Sequence, residues 1–133
     1  MSKAELAVAN GTDLVVVLCT FPVGGDWGEI AQVLLSERLC ACVNQLREVS
    51  SVYRWQGEIV TNREVVCVIK SSSARYDELV QRLTELHPYD VPEIVRLSVE
   101  SVNQEYLDWV VEECDPNAPA SSRTDGDGQL EEV

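Results

Sequence analysis

The stretch His87-Pro88-Tyr89-Asp90-Val91-Pro92-Glu93 decides how the elements on either side of it are arranged. It contains the only histidine and two of the five prolines of the 133-residue chain. Because proline biases the residue before it away from the helical region, we expect His87 to leave the preceding helix and Val91 to be extended. The stretch therefore predicts a stiff corner between a helix and a strand, with an imidazole at its start.

The segments flanking this corner have clear periodicities. Before it, apolar side chains recur at helical spacing and predict an amphipathic helix over residues 76–86: Tyr76, Leu79, Val80, Leu83 and Leu86. After it, residues 93–99 predict a strand, and residues 102–110 predict a third, shorter helix. The corner thus joins the second helix of the chain to its last main strand.

The N-terminal half predicts a strand, a helix and a hairpin. Residues 14–19 form a short apolar run that favours a strand. Asp26 and Glu29 form an apparent capping box, which predicts a helix over residues 27–39. Residues 40–55 and 58–70 then predict a long β-hairpin around Gln56-Gly57, with a bulge or bend at Ser50-Ser51.

This order of elements, β-α-β-β-α-β followed by a short helix, predicts an α+β fold of the ferredoxin-like type. Right-handed crossovers place both main helices on one face of the antiparallel sheet. Residues 14–19 and 65–69 are nevertheless apolar at every position, so both of their faces should be buried. We therefore expect another subunit to cover the face without helices.

Composition limits the function classes. The net charge is −13, with 23 acidic and 10 basic residues, which disfavours binding to nucleic acid. Five cysteines without disulfide-framework spacing indicate reduced thiols, and no stretch resembles a signal peptide or a membrane span. We expect a cytoplasmic protein with a flexible leader at residues 1–12, one domain at residues 13–112 and an acidic, disordered tail at residues 113–133.

Several strings in this domain resemble the CutA divalent-cation tolerance family. The most specific are the Tyr-x-Trp-x-Gly pattern at Tyr53, Trp55 and Gly57 and the His-Pro-Tyr-x-x-Pro-Glu string at residues 87–93. The resemblance covers roughly residues 13–111. It implies a ferredoxin-like subunit in a homotrimer similar to PII signalling proteins, with a link to copper tolerance and copper binding. It also implies copper near Cys19 and His87, although Leu86 stands where some members have a second histidine.

The candidate metal site consists of Cys19 and His87, with Glu93 or Asp90 as a helper. A thiolate and an imidazole suit copper or zinc better than magnesium or calcium. The alternative interpretation is that Cys19 is a core thiol and that His87 only ends a helix. Cys40 and Cys42 share a face if both are extended, and they are a weaker soft-metal pair.

A second set of residues could line a ligand cleft or a subunit interface: Tyr53, Trp55, Lys70, Tyr89 and Trp109. We expect no organic cofactor and no enzymatic activity, because no orienting group or oxyanion site accompanies Cys19 and His87. The sequence therefore predicts a metal-tolerance trimer that binds divalent ions. A PII-like sensor that binds a small molecule or a protein partner in clefts between subunits is the alternative.

Overall fold

The computed structural model describes residues 7–119 as two antiparallel sheets and three α-helices. The larger sheet has the order β3-β4-β2-β5, where β2 is Leu14–Pro22, β3 is Cys42–Trp55, β4 is Glu58–Ser72 and β5 is Ile94–Leu97. The helices α1 (Trp27–Ser36) and α2 (Tyr76–Leu86) connect these strands in the predicted order. The ferredoxin-like α+β fold is therefore confirmed, and no helix within the described residues could span a membrane.

Both helices pack on the same face of the sheet, as predicted. Alternate residues of β2, from Val15 to Phe21, are at most 2% exposed. They form one core with Ile30 and Leu34 of α1 and with Leu79 and Leu83 of α2. Because side chains alternate across a strand, the intervening residues of β2 point to the opposite face.

That opposite face, which we call the open face, is only partly covered within one chain. The register places Val95 beside Leu18 and Leu97 beside Val16. Val95 and Leu97 are 43% and 40% exposed, whereas Val16 and Leu18 are half-buried. The second face of β2 is therefore apolar without being buried in a single chain, and its cover by another subunit stays a prediction.

The outer half of the β3–β4 hairpin projects beyond the sheet. Strand β2 pairs with β4 only as far as Glu64, so residues 50–55 and 58–63 pair with each other alone. Six residues of strand span about 20 Å. Gln56 and Gly57 both have positive φ, as a two-residue hairpin turn of type I′ requires. We call residues 50–63 the arm.

A small second sheet corrects two predicted domain boundaries. Strand β1 (Val8–Asn10) pairs with β6 (Ser101–Asn103), so the second half of the predicted leader belongs to the fold. Helix α3 (Gln104–Glu113) packs on Leu14, and the next residue, Cys114, is 1% exposed. The predicted tail therefore begins too early at residue 113. Residues 1–6 and 120–133 lie outside the described part of the chain.

Three local predictions were wrong in detail. The side chain of Asp26 makes no cap hydrogen bond, and its backbone is not in the extended conformation that a capping residue needs. The irregularity in β3 lies between Gln45 and Glu48, whereas Ser50 and Ser51 are regularly paired. Val102 belongs to β6 and not to the third helix.

Candidate functional site

The corner after α2 has the predicted geometry. Helix α2 ends at Leu86, and the His87 N–H donates a last helical hydrogen bond to the Leu83 carbonyl at 2.9 Å. The backbone of His87 is extended, with φ −71° and ψ 139°. This is the conformation that the following proline favours. The imidazole consequently turns away from the helix axis and packs against β2.

Both ring nitrogens of His87 have hydrogen-bond partners. Nε2 lies 2.7 Å from the Thr20 carbonyl oxygen, and the Tyr89 N–H donates to Nδ1 at 3.1 Å. Since a carbonyl can only accept, Nε2 carries the proton and Nδ1 is the acceptor of a neutral ring. The ring is 7% exposed and stacks on Phe21. Burial lowers the pKa of His87. The hydrogen bond to the Thr20 carbonyl and the negative charge of Glu64 raise it and offset part of this effect.

Cys19 lies near this imidazole, on the helix-covered side of the sheet. Its side chain is 0% exposed, and its thiol donates to the same Thr20 carbonyl oxygen at 3.9 Å. Burial raises the pKa of Cys19 to about 12, with smaller contributions from Cys67, Glu93 and Glu64. Cys19 and His87 therefore converge on one oxygen atom, as a protonated thiol and a neutral imidazole.

A cavity of about 790 Å³ opens between the corner and the arm. Its floor includes Glu64, which is only 8% exposed and accepts a hydrogen bond from the Tyr89 hydroxyl at 2.9 Å. We call this cavity the cleft. It is lined by Thr20, Ser51, Val52, Tyr53, Trp55, Glu64, Pro88, Tyr89, Asp90, Val91 and Glu93. The lining contains three carboxylates and three large aromatic rings, and no lysine, arginine or histidine.

Some of the predicted cleft residues line it and others do not. Tyr53, Trp55 and Tyr89 do. Lys70 lies six residues along β4 from Glu64, about 20 Å away, where its ammonium contacts Asn44. Trp109 packs beside Tyr106 in the small core under α3. Neither Lys70 nor Trp109 lines the cleft, and a place for them at a subunit interface stays a prediction.

The predicted metal residues lie in one region without forming a ready site. The residues described, 7–119, contain no group of three histidine, cysteine or acidic side chains arranged to hold a metal ion. Glu93 and Asp90 reach the cleft, whereas the donor atoms of Cys19 and His87 are occupied by hydrogen and by hydrogen bonds. The carboxylates are consequently the donors that face solvent. The Cys40 thiol is also buried, and burial raises its pKa to about 12.

Sequence reasoning missed two residues of this region. Thr20 contributes its backbone carbonyl, which no side-chain pattern reveals. Glu64 was not singled out as a site residue, yet it is paired across the sheet with Pro22 and buried under Tyr89. The sequence feature that could have indicated the burial of Glu64 is its position directly before the apolar run at residues 65–69.

Together these features define a class: a small α+β protein of the ferredoxin-like type, with a ligand-sized acidic cleft between a projecting hairpin and a proline-rich corner. The family model described as CutA1 divalent ion tolerance protein matches residues 15–113. The chain belongs to the CutA1 divalent ion tolerance family.

Individual relatives agree with this assignment. The divalent-cation tolerance protein CutA of Pyrococcus horikoshii is 43% identical over 100 residues, which are 75% of this chain and 97% of that protein. The solved structure of the Thermus thermophilus divalent cation tolerance protein superposes with a TM-score of 0.72 at 44% identity, covering 75% of this chain and 97% of that one. The structure of CutA from Synechococcus elongatus has a TM-score of 0.78 at 28% identity and covers 86% of this chain and all of that one.

Proposed function

We propose that the protein acts in divalent-cation tolerance as a cytoplasmic homotrimer that binds copper or another divalent metal ion. Cys19, His87 and Glu93 are the proposed metal-binding residues, with Asp90 as a helper. The general role is supported by the relatives from Pyrococcus horikoshii and Thermus thermophilus, which are named divalent-cation tolerance proteins. The observation that carries the residue assignment is the convergence of the Cys19 thiol and the His87 imidazole on the Thr20 carbonyl oxygen, beside Glu93.

Metal binding at these residues requires two changes. The Tyr89 N–H must release Nδ1 of His87 so that the ring offers a lone pair, and the Cys19 thiol must lose its proton. A thiol whose pKa is raised to about 12 resists that loss at neutral pH. We therefore expect weak binding whose affinity increases with pH, and whose first contacts are made by the solvent-facing carboxylates.

Two exposed apolar surfaces of a single chain support the proposal of a trimer. The open face presents Val95 and Leu97, and the arm presents Val52, Trp55 and Ile59 at 65%, 46% and 71% exposure. A two-stranded ribbon is marginally stable by itself, so an arm of this length needs further contacts. Burial of both surfaces against neighbouring copies would supply them.

A copper titration of the purified protein tests the metal proposal. We expect Cys19→Ser and His87→Ala each to weaken binding by at least about tenfold, and Glu93→Gln to weaken it less. Cys114→Ser is the matched control, because Cys114 is an equally buried thiol in the separate core under α3. Equal affinities for all of these variants would remove Cys19 and His87 from any metal role.

A second function, as a PII-like sensor that binds a small molecule, is favoured by the cleft itself. Ligand sites are typically concavities of about 300–1,000 Å³, and the cleft falls within that range. A nucleophilic role for Cys19 is disfavoured, because reactive cysteines have lowered pKa values and the pKa of Cys19 is raised.

A further inference from the structure

We propose that Cys19 and Cys67 form a redox-active pair of thiols that reduces divalent copper and closes into a disulfide within one subunit. Two Cu²⁺ ions each take one electron and become Cu⁺, the two S–H bonds break with release of two protons, and one bond forms between the two sulfur atoms. The inference rests on the proposed binding of copper at Cys19. It goes beyond binding, because it assigns a reaction to the site and a role to Cys67.

The first argument is the position of the two residues in the sheet. Cys19 of β2 and Cys67 of β4 are direct partners in the antiparallel register. Residues paired in this way point to the same face, and their Cα atoms lie about 4.5 or 5.5 Å apart, depending on the hydrogen-bonding pattern. Disulfides occur at Cα separations of about 4.4–6.8 Å, so both spacings allow the bond. The pair can therefore be linked by side-chain rotation, with little movement of the backbone.

The second argument is the place where the pair is buried. Both side chains are 0% exposed and belong to the core between the sheet and the helices α1 and α2. This core lies on the helix-covered face and is made by one chain, so it does not depend on how the open face and the arm pack in an assembly. A disulfide is uncharged, as are two protonated thiols. Oxidation therefore places no uncompensated charge in the core.

The third argument concerns the oxidant. Burial, followed by the neighbouring Cys67, raises the pKa of Cys19 to about 12, and burial raises the pKa of Cys67 to about 11. Both thiols are therefore poor nucleophiles at neutral pH. A metal ion that binds a thiol displaces its proton, so oxidation by copper does not require a free thiolate. The pair consequently favours an oxidant that binds sulfur.

The remaining cysteines have other partners. Cys42 is paired across the sheet with Lys70, and the Cys114 thiol contacts the Ser71 hydroxyl at 3.8 Å. In the part of the chain that the structure describes, the strand register places only Cys19 and Cys67 opposite each other as two cysteines. The oxidation should therefore select this pair.

The test adds copper(II) sulfate to the reduced full-length protein in the absence of oxygen. Copper is then removed, free thiols are alkylated, and the chain is digested with trypsin. The tryptic peptides 4–38 and 64–70 each contain one cysteine, Cys19 and Cys67 respectively, so the mass of a linked pair identifies the disulfide. We expect this link, a loss of two hydrogen atoms from the intact chain, and two Cu⁺ ions per disulfide in a colorimetric bathocuproine assay. Zinc(II) sulfate, which cannot accept these electrons, is the control and should leave both thiols free.

Two variants assign the roles. Cys67→Ser retains Cys19, so it should still bind copper but lose the link. Cys114→Ser removes an equally buried thiol and should retain the link.

Three results with the native protein would overturn this inference alone: copper binding without the link, the same link after zinc, or a disulfide between other cysteines in its place. Absence of copper binding would contradict both this inference and the proposed metal site. These outcomes are decided by the native protein, so they hold even if a variant does not fold.

Discussion

The two faces of the main sheet have similar sequences and different surroundings. On the helix-covered face, Val17 and Cys19 are fully buried among residues of α1 and α2. On the open face, Val16 and Leu18 of the same strand are half-buried beside exposed Val95 and Leu97. An apolar pattern therefore predicts that a face of the sheet is buried. It does not predict whether the residues that bury it belong to the same chain or to another subunit.

Truncating the helix-covered core should have the largest effect. Leu83 of α2 is 0% exposed, so Leu83→Ala should lower the free energy of unfolding by about 2–5 kcal/mol per subunit. Leu97→Ala on the open face is the matched control and should cost less, because Leu97 is 40% exposed in one chain. Urea unfolding of both variants measures the difference, and a larger loss for Leu97→Ala would reverse our ranking of the two faces.

A charge on the open face should break the assembly while leaving the subunit folded. Val95→Asp places a carboxylate in the middle of that face, beside Leu18. We expect light scattering at micromolar concentration to report three chains for the native protein and one chain for Val95→Asp. Circular dichroism should still show the native helix content. A native protein that is monomeric would contradict the proposed trimer.

Low pH should lower the free energy of unfolding, because His87, which packs on the helix-covered face, is buried in its neutral form. The folded state has a lowered pKa for His87, so the unfolded chain binds more protons below pH 6.5. Stability is therefore expected to fall as the pH drops from about 6.5 toward the lower folded pKa, by at most about 1.4 kcal/mol per pH unit and subunit. Urea unfolding at pH 7.5 and 5.5 measures this. His87→Gln, which can still donate to Thr20, should lose most of the slope.

The smallest effect is expected from the C-terminus. Residues 120–133 contain only one leucine and one valine as large apolar residues, too few to add a core to either face. Deleting them should change the unfolding temperature by less than about 2 °C. Deleting residues 114–133 is the contrasting variant, since it removes Cys114 from the small core under α3 and should lower the unfolding temperature clearly.

The sequence predicted those features that depend on local periodicity. The bounds of α2 were predicted as observed, because five apolar residues at helical spacing end at a residue before His-Pro. The β1–β6 sheet was missed, because two three-residue strands more than 90 residues apart have no local pattern. The Asp26 cap failed because the backbone of Asp26, and not its side chain, decides whether it can cap.

The candidate site was predicted in composition but not in contacts. The His-Pro-Tyr-x-x-Pro-Glu string identified the corner, and the Tyr-x-Trp-x-Gly string identified Tyr53 and Trp55, which line the cleft. Whether His87 presents a lone pair depends on a backbone carbonyl 67 residues away, at Thr20, and no side-chain pattern contains that information. Lys70 does not line the cleft, because it lies six residues, about 20 Å, along β4 from Glu64, and a list of candidate side chains does not contain that distance.

The hydrogen bond from His87 Nε2 to Thr20 has a consequence for spectroscopy. The chain has one histidine, so every imidazole signal of the protein comes from this ring. Its Nε2 proton is buried and held by a carbonyl oxygen, which shields it from exchange with water. At neutral pH that proton should give one sharp downfield resonance in the proton NMR spectrum. The line would broaden or disappear when the ring turns toward the cleft, and it would therefore report the state of the corner.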